Sequence, residues 1–114
     1  MSATQTRGAQ AELELTVFAI GDLLCALENL EVHEISGMRA VTRVHHAPAH
    51  VRGVVNLRGQ IMTVIDLGVR FGIGPVPDDR RSRILVVPCG GEDVGLIVDG
   101  VEDVMIGAVS DLEP

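Results

Sequence analysis

Three histidines are the first residues in this sequence whose type and spacing suggest a metal site: His45, His46 and His50. Histidines four positions apart share one face of a helix, but Pro48 lies between them and disfavours a helix there. No cysteine or carboxylate stands in the same segment to complete a ligand set. The pattern favours a polar loop, and the sequence predicts neither a metal nor a cofactor.

The two cysteines give little support to nucleophilic chemistry. Cys25 falls within a predicted strand and Cys89 at a strand end, where a thiol behaves as a small apolar side chain. Neither has the helix N-terminus or histidine partner that would activate it. The Gly-x-Ser-x-Gly, His-Glu-x-x-His and Gly-Lys-Ser/Thr motifs are also absent. We therefore expect no enzymatic activity and no catalytic residues.

Arg58 is the residue best suited to binding. It stands between Leu57 and Gly59, at or just before the tip of a predicted hairpin, in the most apolar stretch of the chain. One interpretation is an exposed turn arginine. The other is a planar donor fork at the edge of an apolar surface, which suits a carboxylate from Glu34 or from a partner protein.

Short strands separated by glycine turns would position these residues. Apolar and polar residues alternate over 12–17, which predicts a strand, and 23–27 follows as its partner after a turn at Gly21 and Asp22. Two further hairpins are predicted, over 53–67 with its turn near Arg58 and over 83–98. This succession of short strands indicates a barrel or a sandwich.

The segments between the hairpins carry weaker signals. Asn29 is a suitable N-cap for a short helix over 30–35, and one further helical turn is predicted over 68–71. A strand is predicted over 39–44, and the Gly- and Pro-containing residues 72–82 are predicted to form a loop.

Composition narrows the class of protein. The 114 residues suit one domain, and 25 of them are Val or Ile, which fit the pleated surface of strands. Net charge is −7 with no lysine, which argues against nucleic acid as a partner and against an anionic membrane. The sequence contains no apolar run long enough to insert in a bilayer, and residues 1–11 read as a disordered leader. We expect a cytoplasmic protein.

Charge is segmented along the chain. Residues 1–38 carry a net charge of −5, residues 39–83 carry +5 and residues 84–114 carry −7. Solvated faces would explain this pattern, as would intramolecular pairing or a polarised contact surface.

A weak internal repeat is also visible. ALENLEVHEI (26–35) aligns without a gap on IVDGVEDVMI (97–106), and both blocks follow a predicted hairpin. In the first copy the hairpin 53–67 comes next, whereas the chain ends soon after the second copy. The repeat predicts one complete unit and one cut short.

Several motifs resemble the CheW-like domain, the fold of the bacterial chemotaxis coupling protein. VRGVVNLRGQIMTVIDL (51–67) is similar to the family's signature hairpin, VHEI (32–35) to its Val-x-Glu-Ile segment, and VGLIVDGVEDV (94–104) to its Val-Gly-Leu-x-Val-Asp block. Pro48 matches the proline that precedes the hairpin. The resemblance covers residues 12–110 and implies an all-β fold of two small SH3-like β-barrel subdomains, the second incomplete.

The resemblance also implies a function. Family members are non-enzymatic adaptors that couple transmembrane chemoreceptors (methyl-accepting chemotaxis proteins) to the regulatory domain of the CheA-type histidine kinase, with the receptor tip in an apolar groove between the barrels. The positions carried over as partner-binding residues are Val32, Glu34, Gly53, Asn56, Arg58, Gly95 and Val104, the last two assigned to the second barrel. Gly53 and Gly95 are expected where a Cβ would obstruct close backbone approach or an unusual φ.

The chain departs from the family pattern at its end. Family members continue through another hairpin and a C-terminal helix, so the CheW-like domain over 12–114 is expected to be truncated. Unpaired strand edges would then favour a homo-oligomer. The alternative function is that of a CheW-like fragment or regulatory module in a different sensor-kinase pathway.

Overall fold

The computed structural model describes residues 12–108 of the chain, with side chains described from 14 to 102. The elements in chain order are β1 (Glu12–Ile20), β2 (Leu23–Glu28), a 3₁₀ turn (Asn29–Glu31), β3 (Glu34–Gly37), β4 (Val51–Leu57), β5 (Gln60–Asp66), α1 (Leu67–Arg70), β6 (Arg83–Cys89), β7 (Glu92–Val98) and β8 (Gly100–Ala108). The strands form two sheets, which correspond to the two predicted subdomains. The all-β prediction is therefore confirmed.

The larger sheet has five strands in the order β3-β6-β7-β5-β4. Its pairs are antiparallel except for β5 with β7, which the chain connects through α1, the loop over 72–82 and β6. Thr42 crosses to the outer edge of β4, where its backbone N–H and carbonyl both bond Val54 at 2.9 Å. The sheet encloses a core made of Val55, Leu57, Met62, Val64, Val76, Ile84, Val86 and Ile97.

The smaller sheet has the order β2-β1-β8, with both pairs antiparallel. A second apolar cluster joins it to the larger sheet, since Phe18 and Ile20 of β1 pack with Leu67, Leu85 and Val98. Strand β6 is therefore buried on both faces, with Leu85 in this cluster and its neighbours in sequence in the first core. Such a strand is rich in branched aliphatic residues on both faces rather than alternating.

The hairpins predicted from the sequence are confirmed, but two other predicted elements are absent. Residues 30–35 are not a helix: a single 3₁₀ turn is followed by β3, whose pairing with β6 outweighs a marginal helical signal. Residues 39–44 form one isolated bridge at Thr42 instead of a strand. The helical turn predicted over 68–71 is present as α1, one residue earlier.

The two subdomains are interleaved in sequence, which corrects the interpretation of the repeat as two consecutive units. The block 26–35 leaves the three-stranded sheet and enters the five-stranded sheet at β3. The block 97–106 crosses in the opposite direction, from β7 to β8. The similarity therefore marks the two crossovers, and β8 returns to pair with β1.

The predicted leader, residues 1–11, lies outside the described residues, as do residues 109–114. Within the described chain, no helix is long and apolar enough to cross a membrane.

Candidate functional site

The tip of the β4–β5 hairpin holds Arg58 in an unusual backbone conformation. Arg58 has a φ of 54° and Gly59 a φ of 83°, the two positive values that a type I′ turn requires. The Asn56 side-chain oxygen accepts a hydrogen bond from the Gly59 N–H at 2.9 Å. These local constraints fix the direction in which the Arg58 side chain leaves the hairpin.

Arg58 reaches across the end of the barrel to β3. Its Nη2 lies 3.2 Å from Oε2 of Glu34, the first residue of that strand. The pairing with Glu34 considered from the sequence is therefore present. The Arg58 side chain is nevertheless 78% exposed and that of Glu34 is 24% exposed, so most of the guanidinium surface faces solvent.

Val32 belongs to the crossover between the subdomains. Its N–H closes the 3₁₀ turn on the Asn29 carbonyl at 3.1 Å, and the next N–H, of His33, bonds the Val86 carbonyl at 2.7 Å. The His33 Nδ1 also lies 3.0 Å from an Asp93 carboxylate oxygen. Val32, Glu34, Asn56 and Arg58 thus stand on the crossover, the strand it enters and the neighbouring hairpin tip.

Gly53 lies in β4 with a φ of +148°, and a Cβ built there would stand 2.1 Å from the Thr42 carbonyl oxygen. A Cβ on Gly95 would stand 2.7 Å from Ile84 and 2.8 Å from Val64, both in the core. The close approaches predicted for both glycines are confirmed. Both residues are buried, so their positions account for packing rather than for a surface contact.

Gly95 and Val104, both assigned to the second barrel from the sequence, lie in different sheets. Gly95 lies in β7 of the same sheet as Gly53, so its assignment to the second barrel is wrong. The reason is that the order of the strands in the sequence differs from their division between the two subdomains. Val104 lies in β8, opposite Thr16 in the three-stranded sheet, and its side chain is outside the described part of the chain.

Sequence reasoning missed the role of Arg52. The β4–β5 register shifts between Val51 and Gly53, which places Arg52 in a bulge. Its guanidinium donates to the Asp66 carboxylate and, at 2.7 Å, to the Val76 carbonyl. The bulge directs a charged side chain across the pair of strands, and no local feature of the sequence predicts the bulge.

Asp66 is the buried centre of this network. Its carboxylate accepts the Val69 N–H at 3.1 Å, as the N-cap of α1, and the Val76 N–H at 3.0 Å. The side chain is only 4% exposed. A carboxylate placed directly after an apolar strand and before a helical turn is the signal that favours this capping role.

Sequence reasoning also missed an apolar concavity lined by Asp22, Leu23, Phe71 and Ile73, between the β1–β2 turn and the loop after α1. The three apolar side chains are about half exposed. This concavity lies at the end of β5 opposite Arg58, about 20 Å away by the rise of a seven-residue strand. It is therefore separate from the group around Glu34.

The thiols and histidines show no constellation for catalysis among the described residues. Burial raises the pKa of the Cys25 thiol, which keeps it protonated and poorly nucleophilic near neutral pH. Cys89 is exposed at the end of β6. In the part of the chain that the structure covers, no three His, Cys, Asp or Glu side chains converge as metal ligands.

The comparisons with known proteins agree with this geometry. The CheW-like domain profile matches residues 14–114. The chain belongs to the CheW-like domain family. A probable chemotaxis protein CheW of Rhizobium etli is 38% identical over 96 residues, covering 84% of this chain and 62% of the relative. The chemotaxis protein CheW of Klebsiella aerogenes is 34% identical over 113 residues, covering 99% and 68%.

A solved structure matches the CheW-like fold described above. The crystal structure of the scaffolding protein TtCheW from Thermoanaerobacter tengcongensis superposes with a TM-score of 0.85 at 36% identity, covering 91% of this chain and 71% of that chain. The chain spans about two thirds of the length of the curated relatives. The solved relative is a scaffolding protein, and these curated relatives are chemotaxis proteins.

Proposed function

We propose that this protein is a non-enzymatic, cytoplasmic adaptor that couples transmembrane chemoreceptors to a CheA-type histidine kinase. Family membership and the chemotaxis names of its relatives support the proposal. The proposed partners are the cytoplasmic tip of a receptor and the regulatory domain of the kinase.

The observation that carries the proposal is the fixed and exposed Arg58. An arginine whose backbone is set by a tight turn, and whose side chain is tethered to Glu34, loses little conformational freedom on binding. Its remaining N–H donors face solvent and suit a carboxylate on a partner. Arginine is one of the residue types enriched among those that dominate binding energy at interfaces.

Exposed apolar side chains occur on the crossover and on the hairpin that carry these residues. Leu30 in the crossover is 87% exposed, and Ile61, which pairs with Asn56 on the hairpin, is 63% exposed. Exposed aliphatic groups beside a polar rim suit recognition of an apolar helix face. We assign Val32, Glu34, Asn56 and Arg58 to direct partner contact.

The other predicted residues act differently in this proposal. Gly53 and Gly95 shape the barrel that presents the surface, because a Cβ at either position would meet neighbouring atoms within 3 Å. Val104 is assigned to the share of the contact surface that the three-stranded sheet provides. Self-association through an unpaired sheet edge stays a prediction that light scattering at increasing concentration tests.

A titration with the kinase regulatory domain and with a receptor tip fragment tests the function. We expect Arg58→Ala to raise the Kd for at least one partner about tenfold, the effect of losing one good interfacial contact. Arg58→Lys should restore binding in part, because an ammonium does not reproduce the planar fork. Arg70→Ala removes an exposed arginine of the last turn of α1 and serves as the matched control.

A charge exchange separates partner contact from internal support. The variant Glu34→Arg/Arg58→Glu keeps an ion pair at the same place but reverses its sign. Full recovery of binding would show that the pair only supports the fold, whereas continued loss is expected if Arg58 touches the partner. Absence of binding to both partners by the unaltered protein would overturn the proposed function.

A further inference from the structure

An arginine-rich surface on the five-stranded subdomain is not used by the proposed function. From residue 39 to residue 65 the sequence holds four arginines and three histidines and no acid, in a chain of net charge −7. Three of those arginines converge on one concavity, which is lined by Arg39, Ala40, Val41, Arg43, Arg52 and Asp78. The segmented charge seen in the sequence therefore has a defined place in the fold.

A second concavity adjoins the first. Arg43 and Arg52 line both, and the second continues over aliphatic surface from Ala49, Val51, Val69 and Pro75. Asp66 also lines the second concavity, where its carboxylate is paired with Arg52. Because the two share their central arginines, they form one extended depression with guanidinium groups at one end and aliphatic groups at the other. We call this depression the arginine channel.

The arginines of the channel differ in what they already bind. Arg52 is held by Asp66 and by the Val76 carbonyl, so its position is fixed and its charge is largely compensated. Arg39 and Arg43 are exposed, and within residues 14–102 neither forms an ion pair. Their guanidinium groups are the available donors of the channel.

We infer that the arginine channel binds an extended, acidic segment of a partner protein. Its carboxylates would meet Arg39 and Arg43, and its aliphatic side chains would lie on Ala49 and Val51. Guanidinium forks pair bidentately with carboxylates, which gives both attraction and register. The inference does not depend on the proposed function, since none of these residues belongs to the group around Arg58.

The lining argues against other anions. Single-stranded nucleic acid is held by aromatic side chains on which bases stack, and no aromatic residue lines either concavity. A lone phosphate would use the arginine end and leave the aliphatic half of the channel without a function. A segment with acidic residues at one end and aliphatic residues at the other uses both halves.

A peptide-binding experiment on the full chain tests the inference. The probe is a fluorescein-labelled Glu₄-Ala₄ peptide, read by fluorescence anisotropy, with Gln₄-Ala₄ as the neutral comparison. We expect Arg43→Gln to raise the Kd about tenfold, the equivalent of one charge-assisted contact. Arg39→Gln should act in the same direction, and affinity should fall as NaCl rises because these side chains are exposed.

The control is Arg80→Gln, which removes an equal charge from an exposed residue of the 72–82 loop that does not line the channel. Circular dichroism melts check that every variant is folded. Three results would each overturn the inference. They are equal losses of affinity in Arg80→Gln and Arg43→Gln, equal binding of the neutral peptide, and full competition by pyrophosphate at similar affinity. Arg43-dependent self-association in sedimentation velocity, without peptide binding, would overturn it in favour of a second copy of this chain.

Discussion

The β4–β5 hairpin carries two arginine–carboxylate pairs that differ in almost every physical respect. Arg52 and Asp66 are 21% and 4% exposed, and their pair also receives backbone hydrogen bonds from α1 and from the loop after it. Arg58 and Glu34 are 78% and 24% exposed, and their contact is a single one at 3.2 Å. Six positions along one hairpin separate a buried network from a surface pair.

Burial decides what each pair contributes. Removing one partner of a buried pair leaves a charge without compensation, which typically costs 3–5 kcal/mol. An exposed pair gains little because water screens its charges and its side chains lose entropy, and its usual value is roughly 0.2–1 kcal/mol. The first pair therefore maintains the fold, and the second can be used in binding at little cost to stability.

The largest effect is expected for Asp66→Ala. This change removes the acceptor of the Arg52 guanidinium, of the Val69 N–H and of the Val76 N–H at once. We expect the free energy of unfolding to fall by about 3 kcal/mol or more, measured by urea denaturation. Asp78→Ala changes an exposed aspartate within the 72–82 loop, so it is the control and should change stability by less than about 0.5 kcal/mol. Equal losses of stability in the two variants would contradict the conclusion that the buried pair maintains the fold.

The second largest loss of stability is expected for Gly53→Ala, next to the bulge that positions Arg52. Gly53→Ala places a Cβ against the Thr42 carbonyl at a φ of +148°, whereas Gly59→Ala at the hairpin tip has a φ of +83° and open space around its Cβ. Both changes strain the backbone, but only the first also requires the Thr42 crossing to move. We expect Gly53→Ala to destabilise by about 2 kcal/mol more than Gly59→Ala in thermal or urea unfolding. Comparable losses would show that the bulge is not constrained.

These two pairs also show what sequence could and could not predict. The turn at Arg58 was predictable because a hairpin tip is encoded locally, by the glycine that follows and by the flanking apolar strands. Glu34 was named as a partner, but only as one alternative, since nothing local places β3 beside that tip. Arg52 was missed because a bulge is a property of two strands together.

The same reasoning explains the errors in topology. Residues 39–44 have strand-forming composition, but only Thr42 finds a backbone partner, since the chain there crosses β4 rather than running along it. The sequence assigns Gly95 to the wrong subdomain because consecutive hairpins of this chain do not form consecutive units. Sheet order is set by long-range packing, here by the cluster of Phe18, Leu85 and Val98 that joins the sheets.

The smallest effect is expected for the exposed pair, measured by a double-mutant cycle. Arg58→Ala, Glu34→Ala and the double variant are compared by urea denaturation, which isolates the coupling between the two side chains. We expect a coupling energy below about 1 kcal/mol at low salt, and less at 1 M NaCl, where the screening length is about 3 Å. The cost of Asp66→Ala should hardly change over the same salt range, because that carboxylate is shielded from the solvent. A coupling of several kcal/mol between Arg58 and Glu34 would show that this pair stabilises the fold as strongly as the buried pair. A loss of binding in Arg58→Ala would then be attributed to a damaged fold rather than to a lost contact.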